Sequence, residues 1–258
     1  MIIEDSISPE GVRLTTLQLK YQRFIHGEFM THRVFSRNAS SSRAIPIDKE
    51  ITGIINDTAT PIHWGVNKAG MQADSEIADI VQAKQIWLEA RDAAIYHARK
   101  LQALNVHKQV VNRLLEPFVN IHVVVTATEW ENFFNLRLDA AAQPEIQHLA
   151  KSMLQDMYGS KPKELTPGQW HLPYVSQEER NQHPPHILVK LSTARCARVS
   201  YLNHDQSNPD YSKDIKLHDD LLRMKHMSPF EHAAAPQRGG FYANLRGWRS
   251  YRNTLELT

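Results

Sequence analysis

The densest chemistry in this 258-residue chain lies between Thr31 and Arg43 (THRVFSRNASSSR), where three arginines, one histidine and four serines fall within thirteen residues. Turn-forming residues leave backbone N–H groups free, the hydroxyls add donors, and each guanidinium offers a charge-assisted fork, a combination that suits a phosphate. A solvated basic loop is the competing interpretation of the same residues. Two further arginines stand out by position: Arg113, four residues before Pro117, and Arg137, which closes the block Asn132–Arg137 (NFFNLR). Taken alone, either is an ordinary surface salt-bridge residue.

In combination these blocks carry more. The first resembles the signature R-H-R-x-x-S-x-N-E-x-S-x-R of flavin-dependent thymidylate synthases, with His32, Arg33, Ser36, Asn38, Ser41 and Arg43 in register and without a gap. Thr31 stands at the leading Arg position and Ala39 at the Glu position. The second block, with Asp139, Ala142, Gln143, Glu145 and Ile146, is similar to the family's N-x-x-x-L-R…A-Q-x-E-I helix. Ala197-Arg198-Val199-Ser200 and Ser228-Pro229-Phe230-Glu231-His232 resemble its A-R-V-S and [ST]-P-F-E-H motifs. In the family those two motifs precede the strand that leads into R-H-R, whereas here they follow it. A circular permutation broken just after P-F-E-H explains the order, because chain termini often lie close together at the surface.

The resemblance implies transfer of a one-carbon unit from methylenetetrahydrofolate to carbon 5 of dUMP, with FAD as cofactor and NADPH as reductant. The protein's part is then to align ring systems and to stabilise charge on the uracil. It implies Ser41, Ser42 and Arg43 at the dUMP phosphate, Arg113 at phosphate or sugar, Glu28 where the family has a substrate-site Gln, and Arg137 stabilising negative charge on a uracil carbonyl. Arg137 and Ser41 are the catalytic candidates. The flavin set is His32, Arg33, Asn38, Asn132, Ser200 and Ser228. Thr126 and Thr128 occupy positions where the family has a flavin-binding Asn and Arg, and Asn244 with Arg246 repeats that pattern near residue 245. The implied assembly is a homotetramer. A hydroxymethylase yielding 5-hydroxymethyl-dUMP and a noncatalytic nucleotide-binding protein are the alternatives.

These groups must be positioned by a conventional fold. Hydrophobic residues make up 41% and charged residues 22%, which excludes a disordered or collagen-like chain. A formal net charge of +2 provides no general field for nucleic acid, so any anion site is local. Cys196 is the only cysteine, so it has no disulfide or zinc partner and is expected to be buried. His122, His148, His171 and His226 lack metal-ligand spacing, and no metal is expected. No apolar run approaches a membrane span and the first residues do not resemble a signal peptide, so the expected location is the cytoplasm.

Partial alternation predicts a strand over Arg13–Tyr21 and a short helix around Phe24–His32, with a loop from Asn38 to Pro46. Helices are predicted from Asp74 to about residue 104, over Lys108–Leu115, over Thr128–Leu138 and over Leu217–Lys225. Residues 159–186, rich in proline and polar side chains, read as a long connection. Asn244–Arg252 (NLRGWRSYR) reads as a basic amphipathic helix. The fold class implied is α+β, residues 1–258 forming one domain with long helices around a central, mostly antiparallel sheet.

Overall fold

A computed structural model describes residues 1–70, 72–200 and 210–256. The chain opens with a hairpin of β1 (Ile2–Ile7) and β2 (Arg13–Gln22). A 3₁₀ turn at Arg23–Ile25 leads into α1 (His26–Met30), followed by β3 (Ser36–Ala39) and α2 (Ile47–Asn56). Then come the long α3 (Ile80–Ala103), the single turn α4 (Lys108–Val111), a 3₁₀ segment at Asn112–Phe118 and β4 (Asn120–Ala127). After these lie α5 (Glu131–Arg137), α6 (Pro144–Gly159), β5 (Lys163–Glu164), α7 (Gln177–Gln182), α8 (Pro185–Ala197) and α9 (Tyr211–Arg223). A ribbon of β6 (Ala234–Tyr242) and β7 (Leu245–Ser250) precedes α10 (Tyr251–Glu256).

The main sheet has the order β3-β4-β2-β1-β5, antiparallel except where β5 joins β1. The architecture is thus α+β with a mostly antiparallel sheet and long helices. Strand alternation divides the sheet's two faces. On one, Leu17, Leu19, Tyr21, Val123 and Val125 pack with Phe29, Phe35 and Phe133 and with Ile146 and Met153 of α6. That core fixes α1, β3 and α5 relative to one another, and these elements carry the motif residues. The other face presents Val12 and Leu14 to Ala234, Leu245 and Trp248 of the ribbon. Trp248 also donates its indole N–H to the Val12 carbonyl at 3.0 Å.

A buried polar chain threads the same face. Ser6 Oγ meets His171 Nδ1 at 2.9 Å, His171 Nε2 meets Thr16 Oγ1 at 2.8 Å, Thr16 meets Thr126 at 2.6 Å, and Thr126 meets His232 Nδ1 at 2.8 Å. Nε2 of His232 is buried with no hydrogen-bond partner among the described residues. Desolvation pushes both imidazoles down, His232 to about 3 and His171 well below the ordinary histidine value.

Several sequence expectations need correction. The stretch Asn244–Arg252 is not one helix: Leu245–Ser250 forms a strand, because Gly247 adopts φ +67° and the ribbon buries Leu245 and Trp248, and only Tyr251 and Arg252 are helical, as the start of α10. A Cβ at Gly247 would stand 3.3 Å from Val12 Cγ2, so Gly247→Ala is expected to cost about 1–2 kcal/mol. A urea midpoint equal to that of the wild type would overturn this.

The long helix begins at Ile80, where Asp79 accepts from the Gln82 N–H; the earlier cap Asp74 instead pairs with Lys68. Lys108–Leu115 divides into an α turn and a 3₁₀ segment that accommodates Pro117, Thr128–Leu138 narrows to Glu131–Arg137, and Leu217–Lys225 belongs to a helix running Tyr211–Arg223. Asn38 and Ala39 lie in β3 and not in a loop. Residues 159–186 contain β5, α7 with a Ser176–Glu179 capping box, and the buried His171 and Leu172. Cys196 is buried as expected.

Candidate functional site

Arg137, the last residue of α5, is held by four hydrogen bonds onto α1 and the residues after it. Nε donates to Nε2 of His32 (3.0 Å), Nη1 to the Glu28 carboxylate (3.2 Å), and Nη2 to the Thr31 hydroxyl (3.2 Å) and the Glu28 carbonyl (3.4 Å). The Thr31 hydroxyl donates to that same carbonyl at 2.6 Å. An N–H directed at Nε2 makes His32 an acceptor there, which places its single proton on Nδ1. Desolvation and the charges of Arg137 and Arg37 keep His32 neutral by lowering its pKa to about 4. Its ring is stacked on Phe35 and meets Phe133 edge-on. Glu28 and Arg137 border a cavity of about 730 Å³ that is also lined by Phe24, Trp87 and Glu145, a size and lining suited to a planar heterocycle.

A second cluster follows β3. Asn112 donates to the carbonyls of Ser42 (2.7 Å) and Ile45 (3.0 Å), and Lys108 donates to that of Ala44 (2.8 Å), tying the serine-rich loop to the 3₁₀ segment that carries Arg113. Ser41 shapes the loop by accepting, at its carbonyl, the Ala44 N–H at 2.9 Å. Ser42 Oγ (3.2 Å), Arg113 Nη1 (2.8 Å) and Arg23 Nη2 (2.9 Å) all donate to Oε1 of Glu116. Arg43 and Arg113 share one surface hollow, and Ser42 and Arg23 border a cavity of about 310 Å³ with Lys20 and Lys49. Converging cationic and hydroxyl donors are the chemistry of an anion site.

A third group joins residues far apart in sequence. Asn38 accepts from Ser228 Oγ (3.1 Å) and donates to the Cys196 carbonyl (2.8 Å). This places the S-P-F-E-H segment against the R-H-R segment.

The sequence profile of the Thy1 family, thymidylate synthase complementing protein, matches residues 10–163, more than half of the chain. The chain belongs to this family. The matched range contains the whole of the Arg137 and Glu116 clusters, while Cys196 and Ser228, the partners of Asn38, lie outside it. Among curated proteins, none matches the chain.

Thy1 membership marks a thymidylate-synthase-type, flavin-dependent enzyme, so the residues can be tested against a flavin. Asn38 and Ser228 stand together, and Ser228, Arg33 and Asn132 are exposed, which fits a large polar cofactor. His32 does not fit the same role: it is 5% exposed and its Nε2 is taken by Arg137. Thr126 is buried in the polar chain, and the Thr128 hydroxyl accepts the Arg246 N–H at 3.0 Å. Arg246 is thereby brought beside Thr128, with its side chain paired to Glu129 at 2.7 Å. Ser200 ends a 3₁₀ turn and its side chain lies outside the described residues.

Sequence reasoning brought out Glu28, Ser42, Arg113 and Arg137 but not what links them. It read Thr31 only as a departure, yet Thr31 helps to seat Arg137. Arg23, Asn112 and Glu116 were not singled out. One signal was present, a glutamate three residues after Arg113, since residues at i and i+3 eclipse in a 3₁₀ segment.

Proposed function

We propose that the chain methylates carbon 5 of dUMP, taking the carbon from methylenetetrahydrofolate, and that Arg137 stabilises the negative charge that develops on the uracil. The observation that carries this reading is the seating of Arg137: a guanidinium fixed by Glu28, Thr31 and His32 at the edge of a cavity is preorganised for a developing anion. Ser42, Arg43 and Arg113 hold the phosphate, with Ser41 shaping their loop. Arg33, Asn38, Asn132 and Ser228 would hold FAD, which when bound supplies the carbon relay and the reducing equivalent taken from NADPH.

The motif order belongs to the same reading as a circular permutation. In its support, His232 of S-P-F-E-H is joined to Thr126 of β4 and through it to Thr16 of β2, the strand that the motif would otherwise lead into. A homotetramer is also part of it: α3 buries Ala98 alone and leaves Val81, Ile86 and Tyr96 exposed, while Leu104, Val110 and Leu114 are exposed around Arg113. No helix among the described residues is long and apolar enough to cross a membrane, in keeping with a cytoplasmic site of action.

A hydroxymethylase is the second reading, favoured by Thr126 and Thr128, whose hydroxyls are engaged within the fold where flavin contacts would lie. Mass spectrometry of the product from purified protein, FAD, dUMP and methylenetetrahydrofolate, with and without NADPH, decides. A methylene added to dUMP only with NADPH is the expected result. A further oxygen, appearing without reductant, supports the second reading; no product from a colourless protein leaves a nucleotide-binding protein.

A further inference from the structure

The anion cradle already contains an anion. Oε1 of Glu116 receives three donors, Ser42 Oγ, Arg113 Nη1 and Arg23 Nη2, within 2.8–3.2 Å. A phosphate monoester presents three terminal oxygens and close to two negative charges to such a set. Phosphate and carboxylate cannot hold these donors together, because like charges in contact at a partly buried site repel strongly. We infer that Glu116 is the resident occupant of the phosphate subsite, so that nucleotide binding is an exchange of one anion for another. This inference rests on the assignment of Ser42 and Arg113 to the phosphate.

The surroundings favour exchange over a rigid scaffold. The loop backbone is fixed independently of Glu116, through Asn112 to Ser42 and Ile45 and through Lys108 to Ala44. The cradle therefore keeps its shape when the carboxylate leaves. The Glu116 side chain is 25% exposed and the Arg113 side chain 57%, so the displaced carboxylate has a path to water. Glu116 also keeps Arg23 and Arg113 from being unpaired cations before substrate arrives. A ligand without a phosphate leaves Glu116 in place, so Glu116 sets the affinity for the charged end of the nucleotide and not the affinity for its base.

Calorimetric titration of dUMP, deoxyuridine and inorganic phosphate into the wild type, Glu116→Gln and Arg113→Ala proteins tests this. Glu116→Gln is expected to tighten dUMP and inorganic phosphate about tenfold or more and to leave deoxyuridine unchanged. Weaker or unchanged dUMP binding in Glu116→Gln, with weaker binding in Arg113→Ala, would overturn the exchange while leaving the phosphate assignment standing. Unchanged dUMP binding in both variants would remove the assignment and the inference together. An independent readout needs no variant: the Glu116 carboxyl ¹³C resonance of the wild type should move on adding dUMP and stay put with deoxyuridine. A resonance that ignores dUMP would equally overturn the exchange.

Discussion

Replacing Arg137 by alanine is expected to lower kcat for the reaction on dUMP by about 10²–10³-fold, the usual loss when one preorganised charge-stabilising donor is removed. The guanidinium has 19% of its side chain exposed and spends four hydrogen bonds on Glu28, Thr31 and His32, so it meets substrate without reorganising. KM for dUMP should change less than kcat, because the interaction strengthens as charge develops on the ring. Arg137→Lys should recover little: an ammonium cannot span His32 and Glu28 while still facing the cavity. Steady-state kinetics of both variants tests the assignment, and a kcat within tenfold of wild type in Arg137→Ala would remove Arg137 from the chemistry.

The second large effect is on stability at acid pH. His171 and His232 are fully buried and neutral, with pKa values depressed by desolvation, whereas in the unfolded chain both titrate near about 6.5. Their contribution is present above that value and is lost as pH falls, because the unfolded state binds the protons first. Each histidine steepens the slope by about 1.4 kcal/mol per pH unit between roughly pH 6 and 4. Glu4 works in the opposite sense: burial raises its carboxyl to about 7 in the folded protein, so it takes up its proton before the unfolded chain does. The difference between wild type and His232→Gln isolates one imidazole. Urea unfolding from pH 6.5 to 4 should show a slope shallower in the variant by about one proton, and parallel slopes would refute the neutral buried His232.

The sequence made the β2 strand and the general course of the long helix legible, because side-chain periodicity is a local property. It was ambiguous where two local signals competed. Asp74 and Asp79 are both adequate caps, and the pairing of Ile77 N–H with the Trp64 carbonyl and of Val66 N–H with the Ser75 carbonyl places the earlier one outside the helix. The NLRGWRSYR stretch has the composition of a basic helix, and its conversion to a strand depends on a partner, Ala234–Tyr242, that periodicity within the stretch does not encode. The site divides in the same way. The motif spacing singled out Arg137, but its partners lie more than a hundred residues earlier in the chain and were found only by folding. Likewise, Thr31 looked like a loss when compared with a motif and acts as a support when seen beside Arg137.

The contact between Trp248 and Val12 spans 236 positions and has a consequence for the order of events during synthesis. The ribbon that covers Val12 and Leu14 leaves the ribosome more than two hundred residues after β2. Until the ribbon is made those apolar side chains wait without their native cover, and a nascent chain halted before residue 248 retains the exposed face. Contacts of such long range close slowly, so the face of the sheet that carries Val12 and Leu14 is expected to be covered late, after its strands have paired. Production of this protein therefore depends on keeping that apolar face from associating with another chain during the interval.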